Sequence, residues 1–176
     1  MERFMELYET VYRDMYRLAY YYMGNGEDAE DAVQDAALSA CEHFGALKKE
    51  ESFRPWIFRI LVNRCRKNLR KRVRKEVVLE DPQEAYEPGP GSRTEVLELL
   101  GTLSEEERLI VTLAVFGGYK GQEIAHMLNR NYSTVRTKYR RALKKLEQEL
   151  TGKEGVTSGR KSARSAGRKG KEELQE

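Results

Sequence analysis

The stretch SFRPWIFRILVNRCRKNLRKRVRK (Ser52–Lys75) decides how the rest of the chain is read. At roughly 100° per residue, Phe53, Ile57, Phe58, Ile60, Leu61, Val62, Cys65 and Leu69 fill a broad apolar arc. Trp56, Arg59, Asn63, Arg66, Lys67 and Arg70 share the remaining stripe. The spacing predicts a long amphipathic helix whose charged side carries the single tryptophan of the chain. An indole among guanidinium and ammonium groups suits a polyanion with stackable faces. Unpaired bases stack on aromatic side chains for about 1–3 kcal/mol each, while Arg and Lys neutralise phosphates. Nucleic acid is the partner class this helix favours, although a tryptophan packed at the edge of a core beneath a solvated basic face would leave the same pattern.

Working toward the N-terminus, Phe4, Leu7, Tyr8, Val11, Met15, Leu18, Ala19 and Tyr22 recur at three and four residues and predict a first helix, ended by Gly24 and Gly26. Asn25 or Gly26 opens a second, with Ala29, Ala32, Val33, Ala36, Ala37, Ala40 and Phe44 inward and a close near Gly45. Small alanines let helices approach closely. After a loop at Lys48–Ser52, Ser52 is the expected N-cap of the basic helix, with Pro55 inside its tolerant first turn.

Toward the C-terminus the pattern lapses from Val77 to about Arg93 into acids, prolines and glycines (EDPQEAYEPGPGS), a composition that cannot bury enough apolar area to order itself. A short helix is expected over Thr94–Gly101. Ser104 and Glu107 then form an S-x-x-E capping box ahead of Leu109, Ile110, Leu113, Ala114 and Phe116, stopped by Gly117 and Gly118. Near Gln122–Leu128 a short helix places Ile124, Ala125 and Leu128 inward. Asn129 suits the left-handed geometry of a tight turn, and Asn131 caps a last helix burying Val135, Tyr139, Ala142, Leu143, Leu146 and Leu150. Beyond Thr151 the Gly-, Ser-, Lys- and Arg-rich tail is expected to be disordered.

The expected fold is therefore all-α, with two small helical domains (1–76 and 94–150), a flexible acidic linker (77–93), a helix-turn-helix in the second domain and a basic tail (151–176). With 176 residues, 35% of them charged, two modest cores are more readily built than one large one. The formal net charge of +3 hides segregation, because acids cluster at Glu27–Asp35 and Glu80–Glu95 and bases at Arg64–Lys75 and Ser133–Glu147. Cys41 and Cys65 read as buried free thiols, and neither a metal site nor a cofactor is expected. No catalytic constellation is evident, so the chain is not read as an enzyme. Without an apolar run of roughly 20 residues or a signal-peptide pattern, a cytoplasmic protein that does not insert in membranes is expected.

With Val135 facing the core, the opposite side of the last helix carries Ser133, Thr137, Arg140, Arg141 and Lys144, with Arg136 at the border. Hydroxyls and guanidiniums read a major groove, where each good base contact discriminates by about 1–3 kcal/mol. Preceded by a short helix and a tight turn, this face is expected to bind duplex DNA.

In this order the segments resemble bacterial sigma factors of the sigma-70 family, in particular the short, two-domain extracytoplasmic-function kind. GNGEDAEDAVQDAALSA resembles the region 2 helix that docks on the β′ coiled coil of RNA polymerase. SFRPWIFRILVNRCRKN is similar to the promoter-melting and minus-10 segment, and LSEEERLIVTLAVFGGYKGQEIAHMLNRNYSTVRTKYRRALKKL resembles region 4, whose final helix binds the minus-35 element. The resemblance implies polymerase contact through Asp28, Asp31, Gln34 and Asp35. It implies minus-10 reading by Asn63 and Lys67, aided by the Lys48–Ser52 loop, with Trp56, Arg59, Arg66 and Arg70 beside them. It also implies minus-35 contacts from Arg136, Thr137, Arg140 and Arg141, a set that overlaps the exposed arc, to which spacing adds Ser133 and Lys144.

The implied partners are core RNA polymerase, through its β′ coiled coil and β flap, promoter DNA and a cognate anti-sigma factor, the free protein being a monomer. Lys120-Gly121 stands where the family places a capping Ser or Thr, Asn129 where it places Gly and Arg130 where it places an apolar residue. A helix-turn-helix regulator acting without polymerase, or a polymerase-binding adaptor, are the alternative functions.

Overall fold

The computed structural model describes the backbone of residues 1–76 and 93–166 and the side chains of 1–71 and 93–152. Its elements follow in the order α1 (Glu2–Met23), α2 (Gly26–His43), α3 (Phe53–Glu76), α4 (Arg93–Gly101), α5 (Glu105–Val115), α6 (Gly121–Leu128) and α7 (Tyr132–Ala166), with 3-10 turns at Phe44–Ala46 and Glu50–Ser52. Among the described residues no strand occurs, as an all-α chain requires.

The helix boundaries follow from local chemistry. Gly24 takes φ 88 and its N–H bonds back to Tyr20 O, ending α1. The Asn25 side chain accepts from Asp28 N at 2.8 Å and starts α2. Ser104 and Glu107 form the expected capping box. Asn129 adopts φ 51 and ψ 52, so the chain turns there without glycine.

In the first half α1, α2 and α3 pack through the expected faces: Met15, Leu18, Ala32, Val33, Ile57, Phe58, Leu61 and Cys65 are fully buried. The alanine face of α2 keeps the helices close. Burial pushes the Cys65 thiol up to about 12, the behaviour of a structural cysteine, while Cys41 is only half-buried.

Two separate cores were the expectation, and here the structure differs. One apolar cluster runs from α1–α3 into Leu109, Ile110, Leu113, Ile124, Ala125 and Val135. Aromatic rings account for the join, because Tyr21 stacks on Phe116 at 4.2 Å and Phe58 meets Tyr119 edge-on at 5.5 Å. Arg54 fastens it, contacting Asp14 Oδ2 and Gly117 O, each at 3.0 Å, with its guanidinium 4.8 Å from the Phe58 centroid. Burial, and secondarily the Glu105 carboxylate that accepts from its hydroxyl at 3.0 Å, raises the Tyr22 phenol and keeps it neutral.

Two expectations for the last helix are corrected. Leu143 and Leu150 are 43% and 50% exposed, because the short α4 and α5 cover only the Val135, Tyr139, Ala142 and Leu146 flank. The helix continues to Ala166, past Thr151 where disorder was expected; no proline follows Tyr132 to end it. Of the expected linker, all but Arg93 lies outside the described residues, as does the tail beyond Ala166.

Glu107 ties α5 to α7. Its carboxylate accepts from Lys145 Nζ at 2.7 Å and from Ser104 N and Oγ at 3.1 and 3.0 Å. Lys145 and then Ser104 hold the acid below its usual range against the desolvation that opposes them. A depressed carboxyl stabilises fully above its unfolded pKa of about 4.3 and loses that contribution as pH falls through the folded value. Glu107→Gln is expected to cost about 1 kcal/mol at neutral pH. Urea unfolding at steps between about pH 6 and pH 3 should show the two proteins converging at the acid end; a constant gap would mean that the charge is not what matters.

Candidate nucleic-acid interface

α3 presents its basic stripe along the side facing away from the core, but the structure divides the expected site in two. Asn63, Arg66, Lys67 and Arg70 share a groove of about 370 Å³ with Lys71. Trp56 and Arg59 line a different groove of about 470 Å³, whose far wall is Tyr119 and α6 residues including Gln122, His126 and Met127. The second half of the chain thus stands over the indole end of the stripe, and sequence periodicity carries no trace of that.

Trp56 is half-buried, leaning on Phe53 with ring centroids 6.0 Å apart. The indole thus packs one side on the core and lines an open groove with the other. The groove at Asn63 is lined from α3 alone, whereas Ser52, the last residue of the Lys48–Ser52 loop, lines the groove at Trp56 and Arg59. Asn63 lies ten residues past Phe53, about 15 Å along the helix at 1.5 Å per residue. Arg3 fastens the loop to the start of α1 through Glu50.

On α7 the bases divide by flank. Lys138 bonds Glu106 at 2.9 Å and Lys145 bonds Glu107 at 2.7 Å, while Arg130 in the preceding turn reaches Glu106 at 3.2 Å. The Lys138 contact, more than that of Arg130, holds the Glu106 carboxyl low against desolvation. Ser133, Arg136, Thr137, Arg140, Arg141 and Lys144 are exposed, and among the described residues their charged members make no ion pair. α5 thus neutralises the inner bases and leaves the outer arc to solvent. At α6, where no hydroxyl accepts from the first turn, the reciprocal half of a capping box forms: Lys120 N donates to Glu123 Oε2 at 2.6 Å. A Cβ on Gly121 would lie 2.9 Å from the Tyr132 ring, so this glycine lets α7 start close beside α6.

The acidic side chains gather as expected. Asp28, Asp31, Gln34 and Asp35 line one groove of about 530 Å³ along α2. Sequence reading passed over its other walls: Leu38, 66% exposed, and Asn68 and Lys71 from α3. An outward leucine at helical spacing beyond three acids was the available signal.

Comparison with known proteins places these surfaces in context. Residues 7–75 match the model of sigma-70 region 2, and residues 93–146 that of sigma-70 region 4. RNA polymerase sigma factor SigV of Bacillus subtilis is 32% identical over 142 residues, covering 79% of this chain and 86% of that one. The ECF RNA polymerase sigma factor SigM of Mycobacterium tuberculosis is 31% identical over 150 residues, 84% of this chain and 76% of its own.

Solved structures of like fold include two chains in complex with partner proteins. The sigma factor RpoE of Bartonella quintana, in complex with the anti-sigma factor NepR, gives a TM-score of 0.74 at 21% identity, covering 86% of this chain and 98% of that one. CnrH in complex with the cytosolic domain of CnrY gives 0.66 at 24% identity, covering 86% and 90%.

Proposed function

The chain belongs to the sigma-70 family of RNA polymerase sigma factors, in its extracytoplasmic-function group, and on that premise we propose how its surfaces divide the work of promoter-directed initiation. The protein binds core RNA polymerase and directs it to promoters, acting by binding alone and in the cytoplasm. The acidic groove of α2 receives a basic surface of the polymerase, with the carboxylates of Asp28, Asp31 and Asp35, the amide of Gln34 and the exposed apolar side chain of Leu38. The outer arc of α7 enters the major groove of the minus-35 element. Asn63, Arg66, Lys67 and Arg70 engage the minus-10 strand, and Trp56 with Arg59 supports its opening.

One observation carries this reading. Lys138, Lys145 and Arg130 are consumed by Glu106 and Glu107, whereas the bases of the α7 outer arc, on an exposed helix face, make no ion pair among the described residues. Paired and unpaired charges sorted to opposite flanks of one helix are what a DNA-reading helix requires and a merely solvated bundle helix does not. A cognate anti-sigma factor belongs to the proposal as well, because two solved chains of like fold are held by such a protein or by a cytosolic partner domain.

The test is reconstitution. Core polymerase with the purified chain, on fragmented genomic DNA, should yield transcripts that begin at a small set of shared sequence elements, absent with core alone. A chain that fails to bind core rejects the proposal, and tight binding to a palindromic duplex without polymerase would support an independent regulator instead. Trp56→Ala should lower holoenzyme affinity for a premelted promoter about tenfold and leave fully duplex binding little changed, as expected for loss of one stacking contact.

A further inference from the structure

One lysine is common to the two working surfaces of the first half of the chain. Lys71, exposed near the end of α3, lines the Asn63 groove beside Lys67 and Arg70, and it also lines the acidic groove beside Asp31, Asp35 and Asn68. Among the described residues no other lines both. Helical spacing accounts for the position: at roughly 100° per residue Lys71 stands about 40° round from Lys67 and about 60° from Asn68, on the border between the two faces. Among the described residues no ion pair fixes its ammonium group on either side.

The two grooves act on that ammonium group with opposite sign. On one side stand the carboxylates of Asp28, Asp31 and Asp35, and on the other the cations of Arg66, Lys67 and Arg70. In the free chain both fields favour the acidic side, by attraction toward it and repulsion from the other. A basic surface seated on the acidic groove neutralises those carboxylates and repels the lysine, while a phosphate strand along Asn63 to Arg70 attracts it. Both changes drive the group the same way. Lysine suits such an exchange, being a compact point charge on a flexible four-carbon stem with no fork geometry to satisfy. Lys67 and Arg70 line the Asn63 groove and not the acidic one, so they serve a strand whether or not the acidic groove is filled.

We propose that Lys71 couples polymerase docking to strand binding: it serves the acidic groove in the free chain and turns to a phosphate of the minus-10 strand once a basic polymerase surface occupies that groove. The inference rests on the division of surfaces given under the proposed function, and it adds a residue that division assigns to neither. Coupling of this kind is reciprocal, so whatever factor docking adds to strand affinity, the strand adds to docking.

Core affinity of the full chain, measured for the parent, Lys71→Gln and Lys71→Arg, decides the matter when taken with and without a saturating single strand. The strand spans the minus-10 region of a promoter recovered in the reconstitution. In Lys71→Gln the ratio of the two affinities should fall about fivefold. In Lys71→Arg, which keeps the charge, it should stay within about twofold of the parent. Without the strand, Lys71→Gln should bind core as well as the parent or slightly better, because a base has left a groove that receives bases. Salt dependence of strand binding to the holoenzyme should flatten in the same variant by about 0.7 in log–log slope, the signature of one phosphate contact. An unchanged ratio in Lys71→Gln overturns the inference, whether Lys71 touches the strand regardless of docking or touches nothing. So does weaker core binding without the strand, which would make Lys71 a docking contact in its own right. A parent chain that does not bind core rejects the docking assignment and this inference together, so the two failures are told apart.

Discussion

Replacing Asp31 and Asp35 together with lysine is expected to weaken binding to core RNA polymerase by about a hundredfold or more, and to abolish promoter-directed transcripts at protein concentrations that saturate the parent. Both carboxylates are exposed on the outer flank of α2 and line the same groove as Leu38. Truncating one partner of a desolvated interfacial ion pair costs about 2–5 kcal/mol, and placing like charges face to face adds to that. Reversal at two positions one helical turn apart confronts any basic docking surface with both penalties.

The fold should tolerate the change, because among the described residues neither carboxylate is in an ion pair and both point away from the core. Lys71 in the same groove adds only modest surface repulsion. Fluorescence anisotropy of the labelled chain against core measures the loss. Parental affinity in the double variant would remove this face from the docking surface, whatever the α3 and α7 faces turn out to do.

Much of this was legible before any coordinates. Strong periodicity and chemical punctuation travel together: the Ser104 and Glu107 box, the Asn25 cap and the left-handed Asn129 each announce a boundary through one side chain and its neighbours. Positions on a helix face are also local information. The stripe from Asn63 to Arg70, the acidic flank of α2 and the arc from Ser133 to Lys144 accordingly appear where spacing puts them.

What sequence could not supply is long-range. That Arg54 reaches Gly117, that Tyr119 meets Phe58, and that α6 walls the Trp56 groove depend on how residues far apart in the sequence come together. Periodicity assigns a residue to a face without saying what that face meets. The same ignorance explains Leu143 and Leu150, placed inward by a pattern that cannot know how short α4 and α5 are. It also explains why Lys138 and Lys145 were indistinguishable in kind from Arg140 and Lys144 until Glu106 and Glu107 were seen beside them.

That sorting of bases leads to the second large effect. Arg136→Ala with Arg140→Ala is expected to erase discrimination between a matched and a scrambled minus-35 element, a change of about a hundredfold if each guanidinium supplies roughly 1–3 kcal/mol of base selectivity. The two lie one turn apart on the exposed arc and form no ion pair among the described residues, so their removal should leave the melting temperature within about a degree or two of the parent.

Lys138→Ala provides the contrast: it breaks the bond to Glu106 and should lower stability while sparing discrimination. Holoenzyme affinity for the two promoters, compared at one fixed salt concentration, separates the possible roles. An equal loss on both would make these arginines phosphate contacts, and the salt dependence of binding should then flatten with each one removed. Unequal loss, concentrated on the matched sequence, identifies them as the groups that read it. If the double variant discriminates as well as the parent, the outer arc of α7 is not the reading surface.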